Sequence, residues 1–186
     1  KGAVDIADSA FIETLPFIKP GVKEFEIALE LEYRMKKLGA KGTSFETIIA
    51  SGPRSAMPHG TASDREVQAG DAIVMDFGAI YKGYCSDMTR TVFMGEPPIK
   101  LKEIYNIVLK AQLEALEASK AGITGKKLDS VSRSIIDKEG YEKCFGHGLG
   151  HGVGVEIHEK PGISPKGEEV LKPGMVYTIE PGIYIE

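Results

Sequence analysis

The chain has 186 residues, 42% hydrophobic and 27% charged, the balance of a soluble globular protein long enough for one domain or at most two. Its formal charge of -4 offers no electrostatic footprint for nucleic acid or an anionic membrane surface. No apolar run approaches membrane-spanning length and no charged-then-apolar leader opens the chain, so a cytoplasmic protein is the expectation.

Residues 3–18 place Ala3, Ala7, Phe11 and Leu15 at spacings of four, with Val4 and Ile12 beside them. This predicts a helix with one apolar stripe, ended by Pro20-Gly21. A second helix is predicted over 23–38, where Phe25, Ala28, Leu31, Met35 and Leu38 recur, with Gly39 as a left-handed stop. Residues 45–50 read as a short strand. Residues 51–64, punctuated by prolines and glycines, read as a loop that carries His59.

Residues 72–95 hold two runs rich in Val, Ile, Phe, Tyr and Thr around the turn signal Tyr81-Lys82-Gly83, which predicts an antiparallel hairpin. Each run carries an aspartate. A turn centred on Tyr81-Lys82 sets Asp76 opposite Asp87, and a centre one residue along makes them diagonal neighbours on the same face. Like charges that close among apolar neighbours are destabilising unless a cation lies between them, and a divalent metal turns both into ligands. The competing reading has one aspartate capping a turn or meeting Arg90.

Pro97-Pro98 introduces a helical pattern to about residue 120, with Leu101, Ile104, Tyr105, Val108 and Leu109 on one side and Gly122 as its stop. Residues 125–139 repeat the spacing through Leu128, Val131, Ile135 and Ile136 before Gly140. A glycine-rich stretch, 146–154, leads into a loop with Pro161 and Pro165. The last predicted strands are 175–180 and 183–185, separated by Pro181-Gly182. Helix pair, strands, helix pair, strands is a rough two-fold recurrence without a strict residue repeat. Cys85 and Cys144 form no CxxC pattern and are expected to be reduced structural thiols.

The four histidines, His59, His147, His151 and His158, all lie in glycine- or proline-punctuated segments and none on a helical apolar stripe. A solvated loop residue is the ordinary reading of any one of them, and a weaker reading of all together. In GHGLGHGVG, residues 146–154, glycine at every even position leaves one face of an extended chain bare while His147 and His151 share the other. A helical HExxH arrangement is incompatible with so many glycines, and neither phosphate-loop spacing is present. His158 follows His151 by an odd separation, so a bend near 152–154 must re-aim one of them if both serve one site. Glu180 ends an apolar strand, either at a surface turn or buried with a partner. Taken together, carboxylates with limited nitrogen suit hard or borderline divalent ions, and two ions better than one. Such a pair can lower the pKa of a bridged water and hold both oxygens of a hydrolysis.

The segments MDFGAIYKGYCSDMTRTV, GHGLGHGVGVEIHEKPG and TIEPGIYI together resemble the pita-bread metallopeptidases, a family that includes methionine aminopeptidase, aminopeptidase P, prolidase and the metal-free creatinase. They are closer to its proline-specific branch. The resemblance runs from the first helix to Glu186. It implies an α+β pita-bread fold, a curved, mainly antiparallel sheet covered by two helix pairs with pseudo-two-fold symmetry. It also implies that Asp76 binds one metal through both oxygens, Asp87 bridges two, and His151 and Glu180 complete the ligands within this chain. His59 then contacts substrate near the scissile bond, His158 stabilises the tetrahedral intermediate, and His147 is a further substrate-binding histidine. The implied reaction is attack of a metal-bridging hydroxide on an amino-terminal Xaa-Pro bond, with two Mn(II) or Co(II) ions, a peptide with proline in second position as substrate, and a homodimer as the intact protein. The family also has a fifth ligand, a bridging glutamate on a later strand, and an amino-terminal domain. Glu186 comes too soon after Glu180 to be that ligand, so residues 1–186 are expected to be a catalytic domain incomplete at both ends. The alternatives are a non-enzymatic protein-binding module on the same fold and a metal-independent, creatinase-like hydrolase. Retention of all the ligand positions that the chain reaches weighs against both.

Overall fold

In the computed structural model, which describes residues 1–185, the chain divides into two units, Lys1–Pro98 and Ile99–Ile185. The first begins with α1 (Gly2–Thr14), which buries Ala3, Ile6, Ala7 and Ala10 along one face. Val4 and Ile12 are instead exposed. At about 100° per residue they fall outside the arc that the buried positions define. α2 (Glu24–Lys37) starts after Lys23, whose N–H is accepted by Glu26 Oε2 at 2.8 Å. It buries Ile27, Ala28, Leu31 and Met35 and is closed by Gly39 at φ 105°. Arg34 of α2 meets Glu13 of α1 at 3.1 Å.

β1 (Gly42–Thr43), β2 (Ile48–Ser51), β3 (Ala72–Phe77), β4 (Ala79–Tyr81), β5 (Tyr84–Cys85) and β6 (Met88–Phe93) pair antiparallel in the orders β1-β4-β5 and β2-β3-β6. Ile73, Met75 and Phe77 of β3 point into the core with Ile49, Ile27 and Leu31, which leaves Val74 and Asp76 on the opposite face. The hairpin turns on Lys82 and Gly83, both at positive φ (51° and 83°). Tyr81 therefore pairs with Tyr84, and Asp76 lies opposite Thr89. This is the second of the two predicted registers, with Asp76 and Asp87 diagonal instead of opposed.

That register continues through a break between β3 and β4. Ser86 donates its N–H to the Ala79 carbonyl at 2.9 Å, and its hydroxyl accepts the Ala79 N–H at 2.9 Å. The Ser86 carbonyl swings toward Gly78 and accepts the Ser44 hydroxyl at 2.6 Å. A Cβ on Gly78 would run into both the Ser86 carbonyl and the Ser44 hydroxyl. Gly78→Ala should accordingly lower stability by roughly 3 kcal/mol, read as a lower denaturation midpoint with unchanged m-value.

In the second unit, α3 (Ile99–Ala118) buries Ile104, Ala111 and Ala115. Tyr105 and Leu109, predicted for the apolar side, are exposed. α4 (Gly125–Lys138) is capped by Thr124, whose Oγ1 accepts the Lys127 N–H at 3.2 Å. Its Ser132 hydroxyl donates to the Ala111 carbonyl of α3 at 2.7 Å. β7 (Gly150–Gly152) and β8 (Glu159–Ile163) pair antiparallel, so β8 occupies residues predicted as loop. The pairing jumps from His151↔Gly162 to Gly152↔Glu159. Lys160 and Pro161 fall in the bulge, where proline's missing N–H is not needed.

Residues 175–180 lie antiparallel beside 149–153 without forming the predicted strand. Glu180 N–H reaches Leu149 O at 2.9 Å, Thr178 N–H reaches His151 O at 2.8 Å, and Val153 N–H reaches Val176 O at 3.1 Å. The return bond from His151 N–H goes to the Thr178 hydroxyl at 3.0 Å instead of its carbonyl, which interrupts the ladder. Residues 183–185 are not a strand either; Tyr184 N–H bonds the Cys144 carbonyl at 3.0 Å. Glu186 lies outside the described residues. Each unit thus carries a helix pair with antiparallel strands, the recurrence seen in the sequence pattern. Neither cysteine is in a disulfide. No helix among the described residues is long and apolar enough to cross a membrane.

Candidate active site

In the first unit, the β3–β6 hairpin presents Asp76 from the strand face opposite the core, with Asp87 one residue before β6. Both are half-buried. His59 lies exposed on the loop that leaves β2. The two ends of that loop are held by one fully buried carboxylate, Glu24, the first residue of α2. Its Oε1 accepts the Ser51 N–H and hydroxyl, both at 2.7 Å, and its Oε2 accepts the Ser63 N–H at 3.1 Å, the Ser63 hydroxyl at 2.6 Å and Arg54 Nε–H at 3.0 Å. Burial pushes this carboxyl up, but the hydrogen bonds from Ser63 and Ser51 outweigh it and hold Glu24 below the usual glutamate range.

In the second unit, His151, His158 and Glu180 come together. The His151 and His158 ring centroids are 4.2 Å apart, so the bulge after His151 supplies the bend that the odd separation requires. His151 Nε2 stands 3.3 Å from Glu180 Oε1. The same carboxylate oxygen accepts the Thr178 hydroxyl at 2.7 Å, and that hydroxyl in turn accepts the His151 N–H. His147 packs against Phe145, with ring centroids 5.0 Å apart, and Tyr184, at 5.7 Å. Burial raises the Glu180 carboxyl, yet hydrogen bonds from His151 and Thr178, with the charges of His151 and His147, hold it below its ordinary value.

The two rings of the glycine-rich stretch share one local device. His147 Nδ1 bonds the Gly148 carbonyl at 2.7 Å, and His151 Nδ1 bonds the Gly152 carbonyl at 3.0 Å. A carbonyl oxygen can only accept, so Nδ1 carries the hydrogen in each bond and Nε2 is the nitrogen turned toward other partners. At His151 that nitrogen faces a carboxylate oxygen, an arrangement satisfied by a proton or a metal cation. At His147 the Nε2 is buried without a hydrogen-bond partner.

The whole chain, residues 1–186, matches the model of Metallopeptidase family M24. The chain belongs to that family. It is 55% identical over 183 residues to the Xaa-Pro dipeptidase of Pyrococcus horikoshii, a match that covers 98% of this chain and 52% of that protein. Among solved structures, the Xaa-Pro dipeptidase of Bacillus anthracis is 56% identical with a TM-score of 0.97, over 98% of this chain and 52% of that one. An X-Pro aminopeptidase from Thermotoga maritima is 54% identical with a TM-score of 0.96, over 99% and 52%. The M24 chain therefore has the pita-bread α+β fold and spans about half the length of the relatives it matches.

Membership of a metallopeptidase family implies divalent metal, and the second unit fits one. A metal-ligating histidine ordinarily donates its other ring N–H to a carbonyl or carboxylate, and His151 does so to Gly152. Glu180 is kept ionised beside it and oriented by Thr178. The mixed nitrogen and carboxylate donors suit borderline divalent ions. Thr178, Glu24, Asp129 and Arg133 were not singled out by sequence reasoning. Only the first carries a local signal, since it stands two residues before Glu180 and is thus placed to share its side of an extended chain.

Proposed function

We propose that this M24 chain is the catalytic domain, over residues 1–186, of a cytoplasmic peptidase that hydrolyses the amino-terminal Xaa-Pro bond of dipeptides or longer peptides. The observation that most supports this reading is His151 Nε2 standing 3.3 Å from Glu180 Oε1 while Nδ1 of the same ring is held by the Gly152 carbonyl. The relatives named Xaa-Pro dipeptidase and X-Pro aminopeptidase support proline in the second position of the substrate.

In this reading Asp76, Asp87, His151 and Glu180 hold two divalent ions, manganese or cobalt. When bound, the ions supply a water acidic enough to attack the scissile carbonyl and a Lewis acid to polarise it. The chain's own residues prepare that chemistry. Gly152 O fixes the His151 tautomer, and Thr178 fixes the rotamer of Glu180. His158, beside His151, donates a hydrogen bond to the oxygen that gains charge as the carbonyl is attacked. His59, on a loop tied at both ends, contacts the substrate near the scissile bond, and His147 offers a desolvated acceptor for substrate binding. The intact protein is proposed to be a homodimer.

The test uses the full-length protein, stripped with a chelator and resupplied with manganese, acting on an Xaa-Pro dipeptide and an Xaa-Pro tripeptide. Manganese-restored cleavage of at least one is expected, and which one is cleaved assigns dipeptidase or aminopeptidase specificity. Metal binding without cleavage of either would overturn the substrate assignment in favour of another amide. Absence of both binding and cleavage would overturn the enzyme reading in favour of a non-enzymatic module.

A further inference from the structure

Among the described residues, the glycine-rich segment that carries His147 has no strand neighbour along residues 145–148, yet its main chain is bonded. Arg133 of α4 donates Nη1–H to the Phe145 carbonyl at 2.9 Å and Nη2–H to the His147 carbonyl at 2.7 Å. Asp129, one turn earlier and 1% exposed, accepts the Leu149 N–H on Oδ1 at 3.0 Å. The two side chains lock each other through Arg133 Nε–H to Asp129 Oδ2 at 2.8 Å and Nη2–H to Oδ1 at 3.0 Å. Alternate residues of the segment, 145, 147 and 149, thus meet one rigid planar pair at the positions where a neighbouring strand would have offered its own N–H and C=O groups.

The grip extends to the rings. The Arg133 guanidinium sits 4.2 Å from the Phe145 ring centroid, and Phe145 presents its ring edge-to-face to His147. On the other side of the segment, a Cβ on Gly148 would crowd Ser164 and the Ile163 carbonyl, so the backbone lies close against the end of β8. Held between these, the His147–Gly148 peptide plane is fixed through its carbonyl on Arg133, and the Gly148–Leu149 plane, whose carbonyl accepts His147 Nδ1–H, through its N–H on Asp129. β7 begins immediately after Leu149 and brings His151 two residues on. An exposed i,i+4 ion pair contributes little to stability. This pair is not of that kind, because Asp129 is buried and the two side chains together make three hydrogen bonds to a segment outside their helix.

We propose that Asp129 and Arg133 are positioning residues for the histidine-bearing segment: acting as a surrogate strand edge, they set the backbone at 145–149 and thereby the tautomer and placement of His147 and the approach to His151. The proposal rests on the peptidase reading for its kinetic consequence, but its structural part does not. Loss of Arg133 frees the Phe145 and His147 carbonyls, the Gly148 carbonyl drifts from its ring, and His147 samples both tautomers.

The test is Arg133→Met and Arg133→Lys in the full-length protein, read two ways. In the chelated protein, long-range 15N–1H spectra of labelled histidines are expected to show one Nδ1–H form for His147 in the parent and a tautomer mixture in Arg133→Met. With manganese, kcat should fall about 10–100-fold while KM stays within about threefold, the scale seen for residues that orient a metal's ligands, with part of kcat restored in Arg133→Lys. A folded Arg133→Met protein with an unchanged His147 tautomer and kcat within about twofold of the parent would overturn the proposal and leave the pair a purely structural tie. Should Arg133→Met fail to fold, Asp129→Asn, which keeps an acceptor for the Leu149 N–H, is judged by the same two readouts. The tautomer readout needs no turnover, so a protein that fails to cleave Xaa-Pro substrates still decides the structural part.

Discussion

Replacing Glu24 with alanine is expected to cost about 3–5 kcal/mol of stability, the range for removing one partner from a buried charged network. The reason is the asymmetry of hydrogen bonds. Each of Ser51 and Ser63 aims a backbone N–H and a hydroxyl at this carboxylate, and Arg54 adds its Nε–H. Without it these donors are left in a site too enclosed for water to replace the acceptor fully. Glu24→Gln should be milder than Glu24→Ala but still harmful, since its amide group must point donors at donors. The dependence on pH follows from the direction of the shift. Glu24 has a folded pKa below its unfolded one, so its contribution is fully present above the unfolded glutamate pKa and is lost as pH falls through the lower folded value. The gap in Tm between parent and Glu24→Gln should therefore be widest near neutral pH and close in acid. A gap constant from neutral pH to acid would show that the carboxylate charge is not what the loop requires. Proteolysis offers a local check, because the segment 52–62 should become cleavable in the variant before the rest of the unit does.

Asp87→Ala is expected to abolish metal-dependent hydrolysis while leaving the fold nearly as stable. Residues that merely support a ligand cost about 10–100-fold in affinity or activity when lost, so removal of a proposed bridging ligand should cost more than about 100-fold. Stability responds differently. Asp76 and Asp87 stand diagonally in one hairpin, and deleting one relieves repulsion in the metal-free protein. Tm of the chelated variant should stay within about 3 °C of the parent, the equivalent of roughly 1 kcal/mol in a protein of this size. Near-normal turnover would remove Asp87 from the ligand set. A collapse in Tm without metal would instead make it a structural residue of the turn.

The helices were legible because spacing of apolar residues is a local property, and α1, α2, α3 and α4 all fall where periodicity puts them. Their buried faces were less so: Val4, Ile12, Tyr105 and Leu109 satisfy a count of apolar residues but not the arc that each helix turns to its core. The hairpin was legible to within one residue, since Lys82 takes a left-handed conformation that its side chain does not advertise. β8 was hidden by Pro161, which reads as a breaker and is accommodated by a bulge. Among candidate site residues, the motif segments named Asp76, Asp87, His147, His151, His158 and Glu180. Glu24 and Asp129 were invisible for a different reason. The backbone groups they satisfy lie 27 and 39 residues from Glu24 and 20 from Asp129, and the i,i+4 spacing of Asp129 and Arg133 announces a helix-surface pair but not its hold on a distant segment.

The paired bonds from His147 to Gly148 O and from His151 to Gly152 O have a consequence for how variation in such a chain should be interpreted. The acid–base identity of each ring is stored in a peptide plane, so a glycine with no functional group of its own helps to set which nitrogen is nucleophilic. A Cβ at Gly152 would strike the Lys160 carbonyl across the sheet and tilt that plane. Substitution there would alter the electronic state of an untouched histidine. A lesion of this kind presents as a chemical defect although only a methyl group has been added to the backbone.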